Sequence, residues 1–236
     1  MKQHLKVIGF DADDTLWMNE TYYRETEQQF VKLMQPYGDE KRVMQTLMHT
    51  ELKNLPLYGY GAKGFMLSMM ETALEVSNAG ANAAVFDGVI ALGKDLLNKP
   101  VILLDGARRV LQHFKGRYPM ILATKGDLLD QERKLRKSGL DSCFHHIEIM
   151  SDKKEENYRR LLKHLGVKPE EFMMVGNSLK SDVLPLLKLG AWGVHVPYHT
   201  TWVHEETNED PQQWERFRKL EKLSDLINLL NDETNH

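Results

Sequence analysis

The sequence contains little of several features that mark particular classes of protein. It has one cysteine, Cys143, among 236 residues, so no disulfide can form within the chain. No apolar run approaches the roughly 20 residues that a membrane-spanning helix needs. Basic and acidic residues nearly balance, at 31 and 34, which excludes the strongly basic surface typical of nucleic-acid-binding proteins. We therefore expect a small-molecule partner, with no nucleic acid and no membrane involved.

The sequence also lacks signals for export and for cysteine chemistry. The N-terminus has no apolar segment of the kind found in secretory signals, so cytoplasmic localisation is the expectation. Cys143 is more typical of a packing residue than of a nucleophile, because no activating group can be identified beside it in the sequence. The chain is long enough for a core domain with an inserted subdomain. Nothing in the sequence indicates the oligomeric state.

The most informative segment is residues 6–17, with the sequence KVIGFDADDTLW. Its first five residues are mostly apolar and predict a buried β-strand, and Asp11, Asp13 and Asp14 follow at the end of that strand. These carboxylates repel one another, and partial burial strengthens the repulsion. A divalent cation would compensate, and Mg²⁺ prefers oxygen ligands that include one or two carboxylates. The alternative is a solvated acidic turn that caps the next helix, and capping is the role we expect for Asp14.

Residues 18–98 show the apolar periodicity of α-helices. Apolar side chains recur at three- and four-residue spacing, and alternating runs of β-branched residues are absent. We interpret this segment as an all-helical insertion, with hinges at residues 17–19 and 98–100 that would let it open and close over a site. The predicted helices are Thr21–Met34, Asp39–Leu55, Ala62–Val76 and Val85–Leu97.

A loop between the second and third predicted helices has an unusual composition. The segment Leu57–Phe65, LYGYGAKGF, contains three glycines, two tyrosines and a lysine. Tyr58, Tyr60 and Lys63 are candidate substrate-binding residues, because loops commonly carry binding side chains. A structural turn in which the tyrosines are partly packed is the alternative.

From Val101 onward, strands and helices alternate, which predicts βαβ units and a parallel sheet. The expected fold is an α/β protein with a Rossmann-like parallel-sheet core in residues 1–17 and 99–236 and a helical cap subdomain in residues 18–98. Polar residues follow most of the predicted strands, at the carboxyl edge where open α/β sheets bind ligands. The predicted strands after the first are Met120–Ala123, His145–Met150, Phe172–Val175 and Trp192–Val196.

Four strand-end motifs together resemble those of the haloacid dehalogenase superfamily of phosphohydrolases. The first is DADDT at residues 11–15, which matches the family's DxDxT pattern, and the second is Thr124 at the end of ILAT. The third is Lys153 in SDKKEENY, and the fourth is GNSLKSD at residues 176–182. Their order is that of the family, and the helical segment lies where the family inserts a C1-type cap.

The resemblance implies a catalytic role for each of four residues. Asp11 would attack phosphorus as the nucleophile. Asp13 would protonate the leaving group and then activate water, while its backbone carbonyl binds Mg²⁺. Thr124 would bind a phosphoryl oxygen, and Lys153 would neutralise charge on the nucleophile and the phosphate.

Two lysines that each directly follow a candidate catalytic residue complete the set of candidates. Lys125, directly after Thr124, is a further candidate for substrate binding together with Thr124 itself. Lys154 competes with Lys153 for the third motif, and we prefer Lys153 because its offset from Tyr158 fits the family pattern better.

The metal site is where the sequence departs from the family. The predicted ligands of Mg²⁺ are Asp11, Asp13, Asn177 and Asp182. The family more often has GDxxxxD in the fourth motif, whereas Asn177 replaces the first aspartate here, and an amide oxygen brings no charge to the cation. Asp182 is then either the principal acidic ligand or an anchor for Lys153, and Ser178 could bind a metal-bound water.

Asp13 favours phosphatase over dehalogenase chemistry, because dehalogenation needs no metal and no proton donor at that position. The resemblance thus implies a Mg²⁺-dependent phosphohydrolase of small phosphomonoesters that forms an aspartyl phosphate. Two alternatives stay open. One is a mutase-like phosphotransferase acting on a small phosphorylated metabolite, which would need water excluded from the site. The other is a phospho-ligand binding protein that has lost turnover.

Overall fold

The computed structural model of the protein describes residues 4–232. The ends of the predicted core domain, residues 1–3 and 233–236, lie outside the described residues. The chain divides into two compact units, one within residues 1–20, 101–125 and 131–236 and the other within residues 21–100 and 126–130. We refer to them as the sheet unit and the helical unit.

The sheet unit is built on a six-stranded parallel β-sheet, so the predicted α/β fold is confirmed. In chain order, its strands are β1 (Val7–Phe10), β2 (Met120–Lys125), β3 (His146–Met150), β4 (Phe172–Gly176), β5 (Trp192–His195) and β6 (Phe217–Lys219). The spatial order is β3-β2-β1-β4-β5-β6. Because β1 lies between β2 and β4, the carboxyl ends of these three strands are neighbours at one edge of the sheet.

Nine α-helices occur among residues 4–232. In chain order, they are α1 (Glu20–Met34), α2 (Glu40–Tyr58), α3 (Ala62–Val76), α4 (Ala83–Asn98), α5 (Ala107–Phe114), α6 (Leu128–Ser138), α7 (Glu155–Leu165), α8 (Leu184–Lys188) and α9 (Asp225–Asp232). Within that range no helix has both the length and the apolar character that a bilayer crossing requires.

The sheet unit buries one apolar layer on each face of its sheet, because successive side chains of a strand point to opposite faces. Ile8 and Phe10 of β1 pack in a layer with Leu111 of α5. On the other face, Phe172 of β4 packs with Leu161 of α7. Both layers are nearly free of solvent, so β1 is buried on either side and its end is a low-dielectric place for a charged group.

The helical unit has its own apolar core. Each of the helices α1 to α4 contributes a fully buried side chain to it, namely Phe30, Val43, Met69 and Val89. Two of its helices begin at side chains that accept a backbone N–H, namely Asp39 before α2 and Asn82 before α4. The predicted helical segment is residues 18–98, and the helical unit spans residues 21–100 together with residues 126–130.

The structure differs from the predicted elements at two prolines. α2 continues past Leu55 to Tyr58 with Pro56 in its last turn, so the predicted loop shortens to residues 59–61. The sequence also predicts a helix over Ser181–Leu189 that Pro185 bends or delays, and the structure divides this segment into a π-helical turn at Leu179–Val183 and the short α8. Pro185 lies in the first turn of α8, where a missing N–H leaves no intrahelical hydrogen bond unmade.

Candidate active site

The candidate site starts with a tight turn directly after β1. The backbone N–H of Asp11 still donates to the Val175 carbonyl at 2.9 Å, as a strand residue would, and Leu16 N–H then donates to the Ala12 carbonyl at 2.8 Å. Asp14 takes a left-handed conformation with φ 61°, which aspartate tolerates better than most side chains. This turn places three carboxylates of one short segment in different environments.

A single buried ammonium group orients the Asp11 carboxylate. Lys153 Nζ donates to Asp11 Oδ1 at 2.5 Å and to Asp182 Oδ1 at 2.6 Å, and all three residues are buried. Burial alone would lower the pKa of Lys153, but the charges of Asp11 and Asp182 raise it well above its usual value. Lys153 is therefore a fixed positive charge, whereas the neighbouring Lys154 is exposed and pairs with Asp152 at 2.8 Å.

Burial also has the largest effect on the pKa of Asp11, the candidate nucleophile. It raises the pKa of Asp11 to about 7, with the positive charge of Lys153 opposing the rise and the negative charge of Asp182 adding to it. A positive charge brought next to Asp11 would lower this pKa and favour the ionised carboxylate that can attack phosphorus.

The close approach of Asp182, in the π-helical turn, to the end of β4 explains the glycine at position 176. A Cβ atom on Gly176 would lie 2.3 Å from Asp182 Oδ2, so no larger residue fits without moving that carboxylate. Asp182 Oδ2 also accepts the backbone N–H of Ser178 at 3.0 Å. Both oxygens of Asp182 thus have protein donors, which favours the alternative that Asp182 anchors Lys153.

Asn177 lies where three oxygen atoms converge. Thr15 Oγ1 lies 3.2 Å from one side-chain amide atom of Asn177, and it lies 3.0 Å from Asp11 Oδ2. The same amide atom lies 3.2 Å from the Asp13 carbonyl oxygen and 3.3 Å from Asp11 Oδ2. The amide either donates its N–H to these oxygens or turns its own oxygen toward them. In the second orientation, a carboxylate, a carbonyl and an amide oxygen face one another.

This donor set fits a hard cation such as Mg²⁺. Oxygens that face one another without a hydrogen between them repel unless a positive charge lies among them, and Mg²⁺ binds oxygen ligands together with water. Within residues 4–232 no three His, Cys, Asp or Glu side chains form a metal-binding cluster. The oxygens that would hold a cation at this position are those of the Asp11 carboxylate, the Asp13 backbone carbonyl and the Asn177 amide.

The Asp13 side chain points to a different set of partners from Asp11. Its Oδ1 accepts from Trp17 Nε1 at 2.7 Å and from Lys134 Nζ at 2.6 Å. Its Oδ2 accepts from Gln131 Nε2 at 2.9 Å and from Lys134 Nζ at 2.8 Å. Sequence reasoning did not identify Gln131 or Lys134, and their three-residue spacing on α6 is the only signal that they share a helix face.

Asp14 caps the chain that enters α1, as the sequence predicts. Its Oδ1 accepts the Asn19 N–H at 2.8 Å, and its Oδ2 accepts the Glu20 N–H at 2.9 Å. Burial raises the pKa of Asp14 to about 8, and these backbone hydrogen bonds act in the opposite direction. Both oxygens of Asp14, the third carboxylate of the motif, therefore accept backbone N–H groups.

Thr124 lies at the end of β2, beside the end of β1. Its Oγ1 accepts from Gln131 Nε2 at 2.9 Å and donates to the Lys125 carbonyl at 3.3 Å, and the residue is 1% exposed. Gln131 Nε2 therefore contacts both Thr124 and Asp13, and it joins the strand ends of β1 and β2.

Lys125 is neutralised by a carboxylate that sequence reasoning missed. Lys125 Nζ donates to Glu205 Oε1 at 2.6 Å and to Ser181 Oγ at 2.9 Å. Glu205 Oε2 also accepts from Ser178 Oγ at 2.6 Å and from Ser181 Oγ at 2.5 Å. Burial would raise the pKa of Glu205, but the charge of Lys125 and the hydrogen bonds from Lys125, Ser178 and Ser181 lower it to about 2. No sequence signal distinguished Glu205 from the other acids of the C-terminal segment.

The structure brings most of the predicted site residues together in the sheet unit and assigns the others to the helical unit. The residues at the carboxyl edge of the sheet are Asp11, Asp13, Thr124, Lys125, Lys153, Asn177 and Asp182. In the helical unit, Tyr58 Oη donates to Glu71 at 2.9 Å and Lys63 pairs with Asp127 at 3.0 Å. Tyr60 is half-buried in the three-residue loop after α2. Substrate binding by Tyr58, Tyr60 and Lys63 stays a prediction.

The chain resembles known proteins in sequence and in fold. The model of the haloacid dehalogenase-like hydrolase family matches residues 5–190. N-acylneuraminate-9-phosphatase of Mus musculus is 25% identical over 197 residues, which is 79% of each chain. A glyceraldehyde 3-phosphate phosphatase of Pyrococcus furiosus is 31% identical over 101 residues, or 40% of this chain and 42% of its own. The crystal structure of a haloacid dehalogenase-like family hydrolase from Xanthomonas campestris is similar with a TM-score of 0.86 and 36% identity, covering 98% of this chain and 93% of its own.

The environment of Glu205 predicts a pH-dependent stability. Because the pKa of Glu205 is lowered to about 2 from 4.5, its contribution is complete above pH 4.5 and is lost as the pH falls toward about 2. We expect Glu205→Gln to be less stable than the wild type near neutral pH. The difference in the free energy of unfolding should shrink by about 2 kcal/mol between about pH 6 and about pH 3. Urea unfolding at a series of pH values measures it.

Glu206→Gln is the matched control, because Glu206 is the next residue and is exposed. Its difference from the wild type should stay close to zero throughout. A difference for Glu205→Gln that does not change with pH would contradict the assigned environment.

Proposed function

We propose that this chain, which belongs to the haloacid dehalogenase-like hydrolase family, hydrolyses small phosphomonoesters with Mg²⁺ through an aspartyl phosphate on Asp11. The observation that carries the proposal is the Asp11 carboxylate at the end of β1, oriented by the buried Lys153 ammonium group at 2.5 Å. The related N-acylneuraminate-9-phosphatase and glyceraldehyde 3-phosphate phosphatase support a small phosphorylated metabolite as the substrate.

In the first half of the proposed reaction, an Asp11 oxygen forms a bond to phosphorus and the bond from phosphorus to the ester oxygen breaks. The departing oxygen takes a proton from the Asp13 carboxylic acid and leaves as an alcohol. Phosphoryl transfer needs alignment and charge stabilisation more than covalent assistance. Lys153 orients the nucleophile, and Thr124 would donate its hydroxyl proton to a phosphoryl oxygen.

In the second half, water replaces the substrate alcohol. The water oxygen attacks the phosphorus of the aspartyl phosphate, and the ionised Asp13 takes a proton from that water. The bond between phosphorus and the Asp11 oxygen breaks, and inorganic phosphate and the free carboxylate are regenerated. The proton returns to Asp13, so the site is ready for another ester.

Mg²⁺ would be held by Asp11, the Asp13 carbonyl and Asn177, and when bound it supplies positive charge against the phosphoryl oxygens. Asn177 contributes no charge to these ligands, so Asp11 is the one carboxylate among them. Asp182 would add a second carboxylate only if it gave up its hydrogen bond from Lys153 or Ser178 to bind the metal. The two oxygens of Asp182 accept hydrogen bonds from Lys153 and Ser178. A role for Asp182 as a metal ligand stays a prediction.

Replacement of the nucleophile tests the proposal at Asp11. We expect Asp11→Asn to lose at least about 10³-fold in kcat with Mg²⁺, because an amide cannot form the acyl phosphate. Hydrolysis of a panel of phosphomonoesters, followed by phosphate release with and without Mg²⁺, measures this. The wild type should lose turnover on chelation of the metal and regain it when Mg²⁺ is restored.

Asp14→Asn is the control for the loss of a carboxylate from the same motif. Asparagine tolerates the left-handed conformation of residue 14 and its side-chain oxygen can accept the same N–H groups. This variant should retain turnover within about tenfold. Substantial Mg²⁺-dependent hydrolysis by Asp11→Asn would rule out Asp11 as the nucleophile.

The leaving group tests the role of Asp13. We expect Asp13→Asn to lower kcat/KM for glycerol phosphate by about 10² to 10⁴, because its alkoxide leaving group needs a proton. The loss for p-nitrophenyl phosphate should be much smaller, since nitrophenolate leaves without one. Steady-state kinetics on both esters measures the two losses. Equal losses on the two esters would exclude Asp13 as the proton donor.

A further inference from the structure

The Asp13 carboxylate has a donor group beside each of its acceptor sites. An ionised carboxylate offers about four lone-pair sites on its two oxygens. Trp17 and Lys134 donate to Oδ1 at 2.7 and 2.6 Å, and Lys134 also donates to Oδ2 at 2.8 Å. The remaining site faces Gln131 Nε2 at 2.9 Å, and the two hydrogens of that amide are shared among three acceptors. A donor that gives up its bond would open an Asp13 oxygen for a proton that moves to or from a substrate.

Trp17 and Gln131 are poorly suited to give up their hydrogen bonds to Asp13. Trp17 is fully buried, and its indole N–H would lose its partner inside the apolar core. Gln131 is 3% exposed, and its Nε2 also contacts Thr124 Oγ1 at 2.9 Å and the Lys125 carbonyl at 2.6 Å. Its side-chain oxygen is buried and has no hydrogen-bond partner among residues 4–232, so only the acceptors around its nitrogen orient this amide.

Lys134 is suited to exchange its partner. Its ammonium group already contacts a second acceptor, Asn19 Oδ1, at 3.0 Å. The side chain is 16% exposed, and a flexible four-carbon stem lets the ammonium group move while it keeps contact with water. Lys134 also supplies two of the four hydrogen bonds to Asp13 and the only positive charge among its donors.

We propose that Lys134 is a positioning residue for the proton-transferring carboxylate of Asp13. Its two hydrogen bonds fix the plane of the carboxylate, and its shift toward Asn19 frees one Asp13 oxygen when an ester occupies the site. Gln131 keeps its bond to Asp13 during this exchange and holds the carboxylate at the end of β2. This inference rests on the proposed phosphatase function, and it assigns Lys134 no contact with the substrate.

The test compares Lys134→Met with Lys137→Met, because Lys137 lies three residues further along α6 and is exposed. The two esters are glycerol phosphate and p-nitrophenyl phosphate, and kcat/KM reports the first half-reaction alone. Lys134→Met should lose about 10- to 100-fold on glycerol phosphate, because a carboxylate turned away from the leaving group transfers its proton poorly. It should lose less than about threefold on p-nitrophenyl phosphate, and Lys137→Met should lose nothing on either.

A double-mutant cycle separates positioning from a general structural role. In the Asp13→Asn background, Lys134→Met should cause less than about a twofold further loss on glycerol phosphate, since the carboxylate that it orients is gone. Equal losses on the two esters, a gain in activity, or a full further loss in the Asp13→Asn background would each overturn the proposal. If Lys134→Met does not fold, Lys134→Gln is judged by the same criteria, because it keeps one donor and removes the charge.

A readout without turnover distinguishes failure of this inference from failure of the proposed function. The indole N–H of Trp17 donates to the same Asp13 oxygen as Lys134, so its NMR resonance reports the position of that oxygen. It can be assigned with Trp17→Phe. The resonance should shift in Lys134→Met and stay in place in Lys137→Met. A Trp17 resonance that does not move in Lys134→Met overturns the positioning role. A wild type that hydrolyses neither ester overturns the proposed function, and the Trp17 resonance then still decides whether Lys134 positions Asp13.

Discussion

The candidate site depends on one buried positive charge shared by two buried carboxylates. Lys153 reaches the ends of β1 and of the π-helical turn after β4, where it contacts Asp11 and Asp182. Removing one partner from such a set leaves an uncompensated buried charge, which is strongly destabilising. The parallel strand order brings these residues to one sheet edge, and Gly176 leaves the space that the Asp182 carboxylate occupies. The same contacts that complete the fold therefore set the orientation of the proposed nucleophile.

Charge pairing extends this arrangement across the sheet edge. Three ammonium groups face four carboxylates in the hydrogen-bonded site, namely Lys125, Lys134 and Lys153 against Asp11, Asp13, Asp182 and Glu205. The excess of one negative charge favours a bound cation. Under the proposed function, the oxygens around Asn177 would hold it. An amide ligand at this position would add no further repulsion to a crowded acidic edge.

The sequence predicted the parts of this site that have local signals. Apolar runs followed by polar residues identified β1, β2 and β4, and the DxDxT spacing identified Asp11 and Asp13. Lys134 and Glu205 carried no such signal, because a lysine on an amphipathic helix and an acid in a charged segment usually face solvent. Their roles come from tertiary contacts with residues more than 70 positions away. β6 is too short, at three residues, for its periodicity to be recognised.

The proposed reaction requires that Asp11 become phosphorylated during turnover. The most direct measurement is acid quenching of the wild-type protein during hydrolysis of p-nitrophenyl phosphate with Mg²⁺, followed by peptide mass spectrometry. We expect a phosphoryl group on the peptide that contains residues 11–15, located on Asp11 and released at neutral pH. A phosphoryl group on another residue, or complete hydrolysis of the ester with no phosphorylated protein at any quench time, would contradict it.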